Sequence, residues 1–259
     1  MILTDSLILA ILIFTRIASI FALIPFFGAA NIPVQVRIAF IMMLTVLLYP
    51  LSAMMDAAGI QTFLDLGFHI VMETCIGLSV SIAVAIVYNA IYLAGVVIDT
   101  GIGFSMINVI SATDETEMPL TANLFYLIAM LVFFITDSHH RLLEALWQCF
   151  RTVPLGMGLV NLGVIDIFNI IFVQSFVIGI KIAAPFLLTI LIADVIMGLL
   201  SKAMPGFNVF MVGMPVKILI GFVLFYILMP YLIRITAYLN ELTIQYANDV
   251  IQLYQRSVP

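Results

Sequence analysis

The chain has 259 residues, of which 64% are hydrophobic and only 9% charged, with a mean hydropathy of +1.27. Soluble domains carry about 25% charged residues, so this composition excludes an ordinary soluble protein and points to a polytopic membrane protein, with room for one membrane domain and little else. A formal net charge of −5 without any basic patch excludes nucleic acid as a partner.

Apolar runs fall at 7–27, 38–55, 66–98, 120–136, 168–200 and 207–235. A span needs about 20 residues to cross hydrocarbon, which predicts an all-α fold of about six long, partly kinked helices arranged as hairpins. The first run lacks a basic leader and a small-residue cleavage site, so it is read as mature structure. Arg16 interrupts it, and for Arg16 and Arg234 two readings stay open: snorkelling to the membrane interface, or a purposeful charge held inside. Gly28 to Pro33 closes a first hairpin, and Tyr49-Pro50 through Gly59 ends the second run. The runs 66–98 and 168–200 hold about 33 residues each. As straight helices they would reach about 50 Å, so tilt, kinks or projection beyond the bilayer must absorb the excess.

Between the third and fourth runs lies Asp99–Pro119, DTGIGFSMINVISATDETEMP. Most connections are about 4–6 residues. This one opens on Gly101 and Gly103, continues with Phe104, Met106, Ile107, Val109 and Ile110, and ends acidic at Asp114, Glu115 and Glu117. Apolar residues beside glycines leave two readings: a loop packed on neighbouring helices, or a deformable apolar seal.

Asp137 or Ser138 is placed to cap an amphipathic helix that carries His139, His140, Glu144 and the single Trp147. His140 and Glu144 share a face, but no third ligand and no HExxH pattern accompany them. The histidines are read as interfacial or hydrogen-bonded, with no metal and no cofactor. Cys75 and Cys149 sit in apolar segments and are read as core.

The last two runs face each other across Ser201, Lys202, Pro205 and Gly206, a turn signal. Asp194 and Lys217 lie about 12 and 16 Å from that turn, at matching depth in a hairpin, and are expected to pair within the chain or with a neighbouring subunit. Glu73 is expected to do the same, since a charge at such depth must face protein or water. Charges in the connections favour one orientation by a single residue, and decide nothing.

Several of these residues carry a resemblance. Gly198-Leu199-Leu200-Ser201-Lys202, Pro205, Asn208-Val209-Phe210, Gly213, Pro215 and Lys217 resemble the signature of the FliR family of type III export-gate proteins. Pro33 with Val36-Arg37, Gly101-x-Gly103-Phe104-Ser105, Phe133-Phe134, His139-His140-Arg141-Leu142-Leu143, Phe150 and Pro154-Leu155-Gly156 extend the likeness over most of the chain. The flagellar branch fits better than the injection branch, which carries Asp-Asn-Gln-Arg-Gly where this chain has Asp99 to Gly103. Ser111-Ala112 departs from the family's frequent Asp-Pro.

The resemblance implies a non-enzymatic subunit of the flagellar export gate, multi-pass in the bacterial inner membrane at the flagellar base. It implies FliP-like and FliQ-like partners, FlhA-like and FlhB-like export components nearby, and unfolded export substrates in transit. By the same likeness, residues 1–165 form a FliP-like part and 166–259 a FliQ-like hairpin and tail. The turn at Ser201–Gly206 would face the cytoplasm, and Gly101–Ile110 would plug the pore, with Phe104, Met106 and Val109 as seal. The residues alone leave two other readings: a small secondary transporter with broken helices, and an intramembrane hydrolase using His139, His140 and Glu144.

Overall fold

A computed structural model describes residues 5–28, 32–52, 62–104, 119–156, 161–204 and 209–256. Its helices are α1 (Asp5–Ala22), α2 (Pro25–Gly28), α3 (Val34–Ser52), α4 (Phe63–Ile102), α5 (Leu120–Ile135), α6 (Ser138–Thr152), α7 (Val164–Ala203) and α8 (Val209–Gln255). Among the described residues the apolar runs are almost wholly helical, because backbone N–H and C=O groups in hydrocarbon can be satisfied only within the segment itself.

Each of the six runs supplies one principal helix, as expected, but their lengths differ widely. Only α4, α7 and α8, of 40, 40 and 47 residues, stand out as long among the described residues. Each of these three is long and apolar enough to cross a membrane by itself, whereas α5 passes only together with α6. The first run breaks after Ala22, ahead of Pro25, because proline offers no N–H and crowds the preceding turn. At the other end, α8 runs twenty residues past the apolar run and ends at Gln255. What read as a tail is therefore helix.

The chain forms two compact units. The first comprises residues 1–87, 137–172 and 241–259. Here Leu12, Ile13, Ile17, Ile76, Cys149, Val250 and Tyr254 are buried. Rings of Phe21, Phe27 and Phe40 pack at 4.7–5.5 Å between centroids. Ser79 and Tyr254 share a hydroxyl hydrogen bond of 2.8 Å between α4 and the end of α8. The Leu23 N–H donates to Ser81 Oγ at 2.9 Å, which fastens the residue after α1.

The second unit comprises residues 88–136 and 173–240. Its centre is aromatic: Phe186 lies 4.9 Å from Phe225, which lies 5.4 Å from Phe125. Gly179 lets α7 approach α4, where an added Cβ would stand 2.9 Å from the Ala90 carbonyl oxygen. Polar side chains within the apolar helices are made tolerable locally, as half-buried Thr189 and buried Thr236 donate their hydroxyls to the carbonyls four residues back. The outer faces of α7 and α8 stay apolar, with Leu188, Leu191, Leu199, Leu219, Phe222 and Tyr226 exposed. Only 11% of the most apolar stretch of α8 is buried within the chain, so its hydrophobicity serves lipid or other subunits and not this chain's own core.

Candidate functional site: buried charges and the base of the central loop

In the first unit, Arg16 on α1 and Glu73 on α4 are both fully buried. Arg16 Nε and Nη2 both donate to the Glu73 carboxylate, the latter at 2.9 Å. Arg16 Nη1 also donates to the Val153 carbonyl at 2.6 Å, and Nη2 to that of Pro154 at 3.4 Å. Glu73 Oε1 accepts a further bond of 2.9 Å from the Gly156 N–H. The Phe150 ring covers the guanidinium at 5.0 Å. Of the two readings of Arg16, the buried one holds: a planar fork with an opposed carboxylate and two carbonyls just past α6 is better satisfied inside. Arg234 is exposed, as snorkelling requires.

Two glycines make this arrangement possible. A Cβ on Gly77 would fall 1.9 Å from Ser19 Oγ and 2.8 Å from the Arg16 carbonyl oxygen, so α1 and α4 touch there. Gly156 has a φ of +76°, a conformation that favours glycine, and turns its N–H toward Glu73.

In the second unit, Asp99 is buried near the end of α4 and accepts from both the N–H and the hydroxyl of Thr121, in the first turn of α5. It thereby satisfies one of the four amides that a helix start leaves open. One turn earlier, a Cβ on Gly95 would stand 2.2 Å from Ala122 Cα, so the backbones of α4 and α5 are in contact. The central loop is therefore clamped at its base.

Its boundary also shifts: α4 continues through Ile102, and Gly103, with a φ of +96°, ends it by donating to the Asp99 carbonyl at 3.0 Å. Gly101 is consequently helical and lies against Ile190, while Phe104 is half-buried. Met106, Ile107, Val109 and Ile110 lie outside the described residues.

Asp194 and Lys217 form an ion pair that links α7 and α8 within the chain. The lysine side chain is 22% exposed and the aspartate 45%. The pair thus sits partly open on an otherwise apolar helical face, which lipid would not tolerate cheaply. Ser201 and Lys202 are exposed at the end of α7, and Pro205 and Gly206 lie outside the described residues.

The amphipathic α6 buries Leu142, Ala145, Leu146, Cys149 and Phe150 and exposes Arg141, Glu144 and Gln148. Asp137 occupies its N-cap position but makes no side-chain cap bond. The expected capping role is thus not met by Asp137, whose left-handed backbone, with φ 52°, turns its carboxylate toward His140 at 3.5 Å. The residue brought to His140 is Asp137 and not Glu144. Sequence reasoning missed that contact, the Arg16–Glu73 pair and the Asp99–Thr121 clamp.

A helical protein with a buried ion pair, backbone-to-backbone helix contacts and apolar outer faces is a polytopic membrane protein. The family described as bacterial export proteins, family 1, matches residues 7–242, and the chain belongs to that family. It is similar to the flagellar biosynthetic protein FliR of Bacillus subtilis, at 28% identity over 255 residues covering 94% of each chain. The FliR of Aquifex aeolicus is 29% identical over 218 residues, covering 83% of this chain and 82% of that one. The secretion system apparatus protein SsaT of Salmonella typhimurium is 26% identical over 164 residues, covering 61% and 62%. Membership makes the chain an export-apparatus component and not an enzyme.

Proposed function

We propose that the chain is the FliR-like subunit of a flagellar type III export gate in the inner membrane at the flagellar base. It would form, with FliP-like and FliQ-like subunits, the pore through which unfolded flagellar subunits leave, with FlhA-like and FlhB-like components alongside. The flagellar relatives covered over most of their length support this reading. So do the apolar faces of α7 and α8 left bare by the chain's own core. In this reading residues 1–165 are the FliP-like part, 166–259 the FliQ-like hairpin and its helical extension, and the Ser201–Gly206 turn faces the cytoplasm.

Within that pore, Gly101–Ile110 is the plug. The observation that supports this is the clamp of Asp99 on Thr121, which ties together the two helices that bracket the apolar sequence of the central loop. Such a segment can exclude water at a constriction, and soft side chains such as Met106 can be displaced and re-close. Deleting residues 104–110 is expected to make cells leak small ions while the complex still assembles. Unchanged permeability with an intact complex would remove the plug.

The Asp194–Lys217 pair is proposed to serve assembly. Asp194→Ala strands Lys217 on an apolar face, and is expected to lower the yield of complex and the motility of cells. The exchange Asp194→Lys with Lys217→Asp should recover both. Normal assembly in Asp194→Ala would end the proposal.

A further inference from the structure

Asp137, His139 and His140 each point one ligand atom into a common space, with all three atoms within 4.8 Å of one another. We propose that these residues bind a divalent transition metal of the zinc class. The donor set is one carboxylate and two imidazoles, which suits zinc, nickel or copper and not magnesium or calcium, whose shells are oxygen. Three protein ligands leave a fourth position open, the pattern of an accessible zinc site.

The geometry is close to what an ion requires. Tetrahedral ligands at zinc distances stand roughly 3.3 Å apart, and Asp137 Oδ1 and His140 Nδ1 are already 3.5 Å apart. Their side chains are 75% and 71% exposed, so small rotations can bring them in without disturbing packing. The His139 and His140 rings are neighbours, tilted by 38° with centroids 4.1 Å apart, so one nitrogen of each lies within 4.8 Å of the other and of an Asp137 oxygen.

The behaviour of Asp137 supports the same reading independently. An aspartate at an N-cap ordinarily accepts from the first-turn amides. This one does not, and its carboxylate is turned to the histidines instead. The positive end of the α6 dipole opposes a cation there, but a screened partial charge is weak beside three metal–ligand bonds. A bound ion would tie the residue before α6 to the helix's first turn and so fix how α6 begins.

The test is metal binding by the purified full-length chain in detergent, using zinc in competition with a chromophoric chelator, and cobalt as a spectroscopic probe. One ion per chain is expected, with a cobalt ligand-field spectrum of nitrogen and oxygen ligation. Asp137→Asn and His140→Gln should each weaken zinc by at least about tenfold, since even outer partners of metal ligands are worth that much. Both residues are surface-exposed, so helical content should survive in each; if one variant loses it, the other decides. No zinc uptake in excess over protein, or wild-type affinity in a folded variant, would overturn the proposal. An intense thiolate-to-cobalt band would place the ion on Cys75 or Cys149 and overturn it equally.

Discussion

Alanine in place of Glu73 is expected to destabilise the first unit by about 3–5 kcal/mol, the cost of leaving one member of a buried ion pair without its partner. Arg16 is fully buried and cannot escape by losing its proton, because guanidinium stays charged at any ordinary pH. Its remaining acceptors would be two backbone carbonyls, Val153 and Pro154, neither of which carries charge. The Gly156 N–H would lose its acceptor as well. Thermal unfolding of the purified chain in detergent should fall by on the order of 10 °C. Glu73→Gln keeps an acceptor without the charge and should lie between. The double change Arg16→Leu with Glu73→Leu should recover much of the loss, since apolar replacement of a whole buried pair is often neutral. Melting of Glu73→Ala within error of wild type would show that the pair does not bear on the fold.

That pair also marks where sequence reading stops. Arg16 and Glu73 are 57 positions apart, and hydropathy registers each as a costly charge without naming its partner. Local periodicity reaches only neighbours three or four residues away. Asp194 and Lys217 were legible because a turn between two long apolar arms sets their depths, so counting residues from it predicts that they meet. The Asp99–Thr121 clamp brackets a loop whose length was visible, but nothing in the composition says that its two ends are tied.

The helices were legible for the same local reasons, and the misread ends have identifiable causes. Hydropathy ends the last run at 235, because Asn240, Glu241, Gln245, Asn248 and Asp249 follow. The helical period continues regardless: Thr243, Tyr246, Ala247, Val250, Ile251 and Tyr254 are buried on one face. A segment that is amphipathic and not uniformly apolar reads as a tail to a hydropathy count and as a helix to a periodicity count. Arg16 stayed open between two readings, since its place in the first run permits snorkelling without requiring it.

Gly95→Ala is expected to loosen the base of the central loop and, through it, the proposed plug. The added methyl carbon would stand 2.2 Å from Ala122 Cα and 2.5 Å from its nitrogen. Those are backbone atoms, so no rotamer change relieves the clash and α4 must withdraw from α5. Overpacking of this kind costs about 1–3 kcal/mol, more than the gain of up to about 1 kcal/mol from replacing a helical glycine. Asp99 lies one turn further along α4, on the same face, and its bonds to Thr121 lengthen or break as the helices part. Two readouts separate the levels of the claim. A lowered melting temperature tests the helix contact; ion leak in cells with assembled complex tests whether the clamped base holds the plug. Gly198→Ala is the matched control, because nothing lies within 4 Å of the added carbon, and it should leave both unchanged or slightly raise stability. A destabilised Gly95→Ala without leak would separate the clamp from the seal, and a stable one would refute the close approach of α4 and α5 on which the clamp depends.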